Sequence, residues 1–590
     1  MNLGREAPAA IDTRSYDETV FDASGWIYLL PPLLGSRLIC IDAVGSVAHR
    51  LAAEGAEVTV VVPHGQAPWA AEYLDSSLRP TVDRLRFASP DGIAAAWHDA
   101  TPRLCDGFVV HDLHGSTVRA ADVPAMIRLL RGLVRHLDAR AFVYVGALRR
   151  WSPWRLSGSS GGSGASARQR GVSRRRHFDL VHAAGAARAD EHPYLLSGPG
   201  LTEIIGSCGY RSTKNRELRA ERAKEFLLRP GLARHLAPGA GIVGHLGKPR
   251  ESVIDLLRTR IEYADKRPGA CRPVLAQCLV LHAGKVILGL RAPAPSGVAL
   301  TVVMARDDVA VRRREVEAAS LVALADLPDL PDRLAALLPR YLGRIDVEGV
   351  QAFVQSTRPG VTCDLDLPGL SSLTRRAADF LVDLHEQTRD PATPSHAATL
   401  ICSLCTAAML RAPQLSDSLL ALRTAVEKCA GQLNVPLVCM HGDFKIENVM
   451  YDQRSGALTG MIDWELSMPK GLPLLDLLYL LAFNRMIRGQ SRSAALGALT
   501  AGDTLEQQER DLTSRYLRRL GIPECQRLPL AIAFLCHDIG CRIQFDDLPP
   551  DAVRSAKEFI DGLRVRLLAW HDARRAGSPA GLQALPTTSV

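Results

Sequence analysis

The chain has 590 residues, too many for one core, so its length suggests two to four domains. Hydrophobic residues make up 47% and charged residues 23%, an ordinary globular composition, and no apolar run approaches the roughly 18 residues of a membrane span. A formal charge of +8 is small for this length and argues against a nucleic-acid partner, while thirteen scattered cysteines and no leader-like start point to free thiols in the cytoplasm.

Residues 1–20 are mixed in character and expected to be disordered, as is the tail 576–590. Between them, residues 21–248 alternate strand-like and helix-like patterns. Strands are expected at Arg37–Ile41, Ala56–Val62, Phe108–Val110 and Ala141–Val145, with helices at Val47–Glu54 and Val123–Leu137. Such alternation argues for a parallel, Rossmann-like α/β sheet. Residues 157–176, rich in Gly and Ser and ending in three arginines, read as a flexible insertion. The segments Ile41-Asp42-Ala43-Val44-Gly45, Gly55–Val58 and Cys105–Asp112 resemble a class I SAM-dependent methyltransferase, and Ala187–Tyr194 and His235–Val243 resemble its last strands. The sequence departs from that family at the cofactor. One glycine, Gly45, remains in the turn, and Val61-Val62-Pro63 stands where an acidic residue would hold the ribose hydroxyls. Losing that acceptor costs about 1–3 kcal/mol, so SAM is expected to bind weakly. Asp112 reads either as a cleft-facing carboxylate at a strand end or as a helix cap.

Residues 253–575 form the second expected domain, with a small lobe over about 270–355 and a large lobe over about 356–575. Strands are expected at Val274–Leu281, Lys285–Leu290, Val298–Ala305 and Gln351–Gln355, and a helix at Val309–Leu324. Leu370, Leu373, Ala377, Phe380, Leu381 and Leu384 recur at helical spacing. Cys402-Ser-Leu-Cys405 lies in an apolar helical stretch, and Cys536-His537 with Cys541 makes another loose cluster. Neither has a second pair at structural-zinc spacing, so both read as buried thiols rather than metal ligands. A buried strand, Leu437–Met440, leads into His441-Gly442-Asp443-Phe444-Lys445-Ile446-Glu447-Asn448. A hairpin, Val449–Tyr451 and Leu458–Trp464, then returns Asp463 towards Asn448. Phosphoryl transfer needs a carboxylate to accept the proton of an attacking hydroxyl, and oxygen ligands to hold Mg²⁺ against nucleotide phosphates. Asp443 suits the first role, Asn448 and Asp463 the second. Helices are expected at Leu477–Phe483, Arg510–Leu520, Leu528–Cys541 and Ala556–Trp570.

His-Gly-Asp, four residues, Asn, and then a hairpin ending in Asp resemble the aminoglycoside phosphotransferase and choline kinase-like family. That resemblance implies an α+β bilobal, protein-kinase-like fold. It implies that Asp443 and Lys445 serve catalysis, and that Asp476, in Leu474-Leu475-Asp476-Leu477, braces the catalytic loop. Glu317 matches the helix glutamate that normally pairs with a strand lysine at the nucleotide phosphates. Met304 stands at the lysine's place, and Arg306, two residues on, is the candidate substitute. Gln355 marks the hinge, whose backbone would read adenine. The family's acceptor pocket falls in the C-terminal helices, where His537, Asp538, Asp546 and Asp547 are candidates.

The expected function is ATP- and Mg²⁺-dependent phosphorylation of a hydroxyl on a small metabolite of the sugar, aminoglycoside or amino alcohol class. Two alternatives stay open: a catalytically weak binding or regulatory protein, and a bifunctional methyltransferase–kinase. Nothing in the sequence sets an oligomeric state.

Overall fold

Short β-branched runs bounded by glycine set the first strands of the chain, seen here in a computed structural model. It describes residues 23–41, 46–61, 85–88, 105–112, 127–128, 130–132, 134, 137–148, 173–196, 202–205, 237, 239–264, 274–281, 285–291, 299–305, 308–363, 369–390, 394–501, 505–542 and 550–576. These form two compact units: the first holds the described residues up to 311 together with 342–357, the second 312–341 and those from 358 onwards.

In the first unit, β1 (Arg37–Ile41), α1 (Ser46–Ala53), β2 (Glu57–Val61), β3 (Leu85–Ala88), β4 (Cys105–Asp112) and β5 (Leu137–Leu148) build a parallel sheet of order β3-β2-β1-β4-β5. This is the start of the doubly wound order. After α2 (Arg174–Ala183) come β6 (Arg188–Leu196), β7 (Thr202–Ile205) and β8 (Gly239–His245). β8 enters between β5 and β6, antiparallel to both. The helix α3 (Val253–Ala264) precedes β9 (Val274–Leu281), β10 (Lys285–Arg291) and β11 (Ala299–Ala305), which pair antiparallel in turn.

Beyond α4 (Asp308–Ala325), the strands β12 (Tyr341–Val347) and β13 (Val350–Ser356) return to this unit, and β13 pairs with β11. β7 pairs with β9 through Ile204 and Ile205, so one thirteen-stranded sheet runs from β12 to β3. One apolar core also runs through both stretches, joining Leu38, Val58 and Tyr144 to Val286, Leu288, Val302 and Met304. Burying a side chain of this size contributes about 1.5–3 kcal/mol, so the shared core welds the strands firmly. Trp26 stacks on Tyr144 with ring centroids 4.4 Å apart, which covers this face with the segment Ala23–Leu29.

The second unit holds most of α4 and is otherwise mainly helical. β14 (Val361–Thr362) is followed by α5 (Leu370–Gln387), α6 (Pro394–Arg411), α7 (Ser416–Cys429) and β15 (Val438–Met440). α5 buries Leu373, Ala377, Phe380, Leu381 and Leu384, the stripe its spacing dictates. β16 (Val449–Tyr451) and β17 (Leu458–Met461) form a hairpin, and β18 (Met468–Gly471) pairs back onto β15. The helices α8 (Leu475–Ile487), α9 (Arg492–Ala501), α10 (Gln507–Arg519), α11 (Arg527–Arg542) and α12 (Pro550–Arg575) complete it around Phe444, Trp464, Tyr516, Phe534 and Trp570.

Several local expectations are corrected. Arg174–Arg176 belong to α2, where Ser173 Oγ accepts the Arg176 N–H, instead of to a loop. Leu137 begins β5 rather than ending a helix. The strand expected to Trp464 stops at Met461, because Asp463 takes a left-handed φ of 69°. The termini 1–20 and 577–590, Gly45, Val62, Pro63 and residues 157–172 lie outside the described residues. Among the described residues no helix is long and apolar enough to cross a membrane.

Candidate active site

The loop after β15 is held from beneath by one carboxylate. Asp476, at the start of α8 and 2% exposed, accepts the His441 N–H at 2.6 Å and the Gly442 N–H at 2.9 Å. Gly442 has a φ of 80°, and a Cβ there would collide with the Leu466 carbonyl, so only glycine lets the chain turn. Burial pushes the Asp476 carboxyl up, but His385 and the His441 N–H outweigh it and hold its pKa below the usual value. His385 Nε2 lies 3.7 Å from Asp476, and its Nδ1 meets the Tyr516 hydroxyl at 2.5 Å. That hydroxyl also accepts the N–H of Leu474, another left-handed residue, with φ 72°. A bulky side chain in this region costs about 1–2 kcal/mol, strain that the surrounding hydrogen bonds sustain.

His441 is fully buried, and burial lowers its pKa despite the carboxylates of Asp476, Asp443 and Asp463. It is therefore a neutral imidazole: Nε2 donates to the Ile462 carbonyl at 3.1 Å, and Nδ1 accepts the Asp443 N–H at 3.3 Å. His441 thus joins the two halves of the site as a strut. Asn448 Nδ2 donates to the Asp443 carbonyl at 2.8 Å and to Asp443 Oδ2 at 3.0 Å. Lys445 Nζ sits 3.7 Å from Asp443 Oδ2, 3.5 Å from Glu447 and 5.5 Å from the Phe483 ring centroid. Burial alone would lower the Lys445 pKa, but Asp443, Tyr479, Glu447 and Asp463 hold it above its ordinary value.

Asn448 and Asp463 are tied by backbone, since the Ile462 N–H donates to the Asn448 carbonyl at 3.0 Å. The donor half of the Asn448 amide is turned to Asp443, so its oxygen is the atom that could ligate a cation. With the Asp463 carboxylate, that makes two hard oxygen donors, a set that fits Mg²⁺, which takes one or two protein oxygens and completes its shell with phosphates and water.

Glu317, on α4 and 4% exposed, accepts the Trp464 N–H at 3.2 Å and pairs with Arg314 one turn earlier. Arg314 itself reaches Asp463 at 3.4 Å and pairs with Glu465. The helix glutamate is therefore engaged by an arginine of its own helix. Met304 is fully buried in the first unit's core, and Arg306 lies outside the described residues. Gln355 is half-buried on β13 of the first unit, opposite Thr301. A lysine does stand on this sheet: Lys285, buried at the start of β10, pairs across from Ala305, on the face opposite Val286 and Met304. The structure thus brings together Asp443, Lys445, Asn448, Asp463 and Glu317 within the second unit, and adds Arg314, which sequence reasoning passed over. Arg314 sits in the run Arg312-Arg313-Arg314, and its three-residue spacing to Glu317 was the available signal.

Of the acceptor candidates, His537 Nε2 meets the Gly442 carbonyl at 3.4 Å, and Asp538 is buried and held by Arg492 through bonds of 3.1 and 2.7 Å. Both brace elements of the unit. Asp546 and Asp547 lie outside the described residues. Cys405 Sγ lies 3.5 Å from Cys536 Sγ, and burial raises the Cys402 thiol to about 11. Among the described residues no group of three His, Cys, Asp or Glu is placed to hold a metal. Asp112 ends β4 opposite Ala147, while Val61, where the ribose-binding acid was expected to follow, is buried.

Residues 298–512 match the model of the phosphotransferase enzyme family (APH). No curated protein matches the chain. Among solved structures, aminoglycoside phosphotransferase APH(3'')-Id from Streptomyces rimosus, in complex with ADP and streptomycin, is 16% identical with a TM-score of 0.30, over 42% of this chain and 90% of that one. An aminoglycoside-3'-phosphotransferase of type VIII is 19% identical with a TM-score of 0.28, over 48% of this chain and 97% of that one. A putative O-methyltransferase from Nostoc punctiforme is 14% identical with a TM-score of 0.23, over 40% of this chain and 58% of that one.

Proposed function

We propose that the chain is an ATP-dependent phosphotransferase whose acceptor is a hydroxyl of a small metabolite. The family match over residues 298–512 supports the reaction class. The observation that carries the reading is the convergence of Asp443, Lys445, Asn448 and Asp463 within one hydrogen-bonded loop system. In this reading Asp443 orients the acceptor hydroxyl and takes its proton as the acceptor oxygen bonds to the γ-phosphorus. The bond from that phosphorus to the bridging oxygen breaks, leaving ADP. Asn448 fixes the plane of the Asp443 carboxylate, and Lys445, positively charged, sits where negative charge develops on the transferred group. Mg²⁺, when bound, neutralises phosphate charge, and Asn448 and Asp463 are the residues that would hold it.

The acceptor class, a sugar, aminoglycoside or amino alcohol, rests on the sequence resemblance. Asp443→Asn is expected to lower kcat about 10²–10⁴-fold with ATP affinity retained, measured by phosphotransfer to a panel of hydroxylated acceptors. Full activity in that variant would remove Asp443 from its role.

A second reading, a nucleotide-binding protein with weak catalysis, draws on Met304, which puts an apolar side chain in the core at the place of the strand lysine. Tight Mg²⁺-dependent ATP binding without turnover of any acceptor would favour it. For the first unit, SAM binding is the corresponding test, and its absence would end the bifunctional reading.

A further inference from the structure

The guanidinium of Arg314 is 3% exposed and stands among three carboxylates: Glu317 on its own helix, and Asp463 and Glu465 on the loop after β17. Glu317 extends the same network by accepting the Trp464 N–H between those two loop residues. Asp463 holds a left-handed backbone, which needs support from its surroundings. Ser467 adds a parallel tie at the loop's far end, donating to the Trp464 carbonyl at 2.6 Å and meeting Ser320 of α4 at 2.8 Å.

We infer that Arg314 is the positioning residue of the metal-binding loop: it ties the helix glutamate to the Asp463 carboxylate. This rests on the phosphotransferase reading, because it gives Asp463 its metal. The geometry explains why an arginine stands here. One planar fork reaches Glu317 through one nitrogen and Asp463 and Glu465 through the other, a span that a single ammonium cannot cover. A carboxylate oriented by such a partner presents its remaining lone pairs in a fixed direction, which is how groups behind a ligand raise metal affinity.

The test titrates Mn²⁺ into the full-length protein with and without AMP-PNP, read by electron paramagnetic resonance, beside AMP-PNP affinity without metal. Arg314→Lys keeps the charge and hence the fold, as a thermal melt would check. It is expected to weaken Mn²⁺ binding about tenfold or more with metal-free AMP-PNP affinity unchanged. Arg314→Gln is expected to weaken it further; where that variant does not fold, the lysine variant decides alone. Wild-type Mn²⁺ affinity in Arg314→Lys, or tighter binding in either variant, overturns the inference and leaves the phosphotransferase reading standing. No Mn²⁺ binding by the wild-type protein would overturn both.

Discussion

The loop from His441 to Asn448 and the strand β11 were both read as carriers of the phosphotransfer machinery, and they are built on opposite principles. In the loop, polar groups hold one another in place: Asp476 takes two backbone N–H groups, His441 bridges to Ile462, and Asn448 clasps Asp443. In β11 the expected cation site holds Met304, packed with Val286, Leu288 and Val302. The loop is specified by hydrogen bonds and the strand by apolar packing. The polar frame of the loop and the apolar core around β11 are thus each complete within their own unit.

The comparison breaks first at Asp476. Asp476→Ala strands the His441 and Gly442 N–H groups and is expected to cost about 3–5 kcal/mol, read as a lower urea midpoint for the second unit. An unchanged midpoint would mean that the loop does not depend on its carboxylate. Met304→Lys tests the other region. Burying an unpaired ammonium should destabilise the first unit by about 2–4 kcal/mol with no gain in ATP affinity. A gain in ATP affinity would show that this strand position serves the nucleotide after all. Tyr516→Phe, which removes the acceptor of the Leu474 N–H, should cost about 1 kcal/mol in the same unfolding assay.

A further effect is with pH. His441 has a depressed folded pKa, so below the unfolded value near 6.5 the unfolded chain binds a proton that the folded chain does not. Its contribution should make stability fall as pH drops from about 7 towards 5, by at most about 1.4 kcal/mol per unit. An imidazole resonance from labelled His441 that titrated near 6.5 in the folded protein would contradict this. Asp476 acts lower on the scale: its depressed carboxyl stabilises the fold above the unfolded value and loses that contribution as pH falls through the folded one.

Much of the polar frame was legible because its residues are close in sequence and of unmistakable chemistry. His441, Asp443, Asn448 and Asp463 fall within one short stretch, and β1 and β9 occupy the residues their apolar runs marked. What escaped depended on distant partners. β12 alternates exposed and half-buried residues and includes Gly343, Arg344 and Asp346, so its sequence carries little strand signal. Arg314 looks like any surface arginine until the loop carrying Asp463 arrives from about 150 residues away. The pairing of β7 with β9 is likewise invisible to local pattern, since β7 is a four-residue strand and its partner lies far along the chain.

That pairing has a practical side. A chain trimmed to begin at residue 253 would leave β9 without β7 and strip Leu38, Val58 and Tyr144 from the core that Val286 and Met304 share. The exposed edge would be a template for self-association, and the uncovered face would be sticky. The strands β9–β11 thus cannot be cut away from the strands that precede them: they are woven into the same fabric, not strung on like beads.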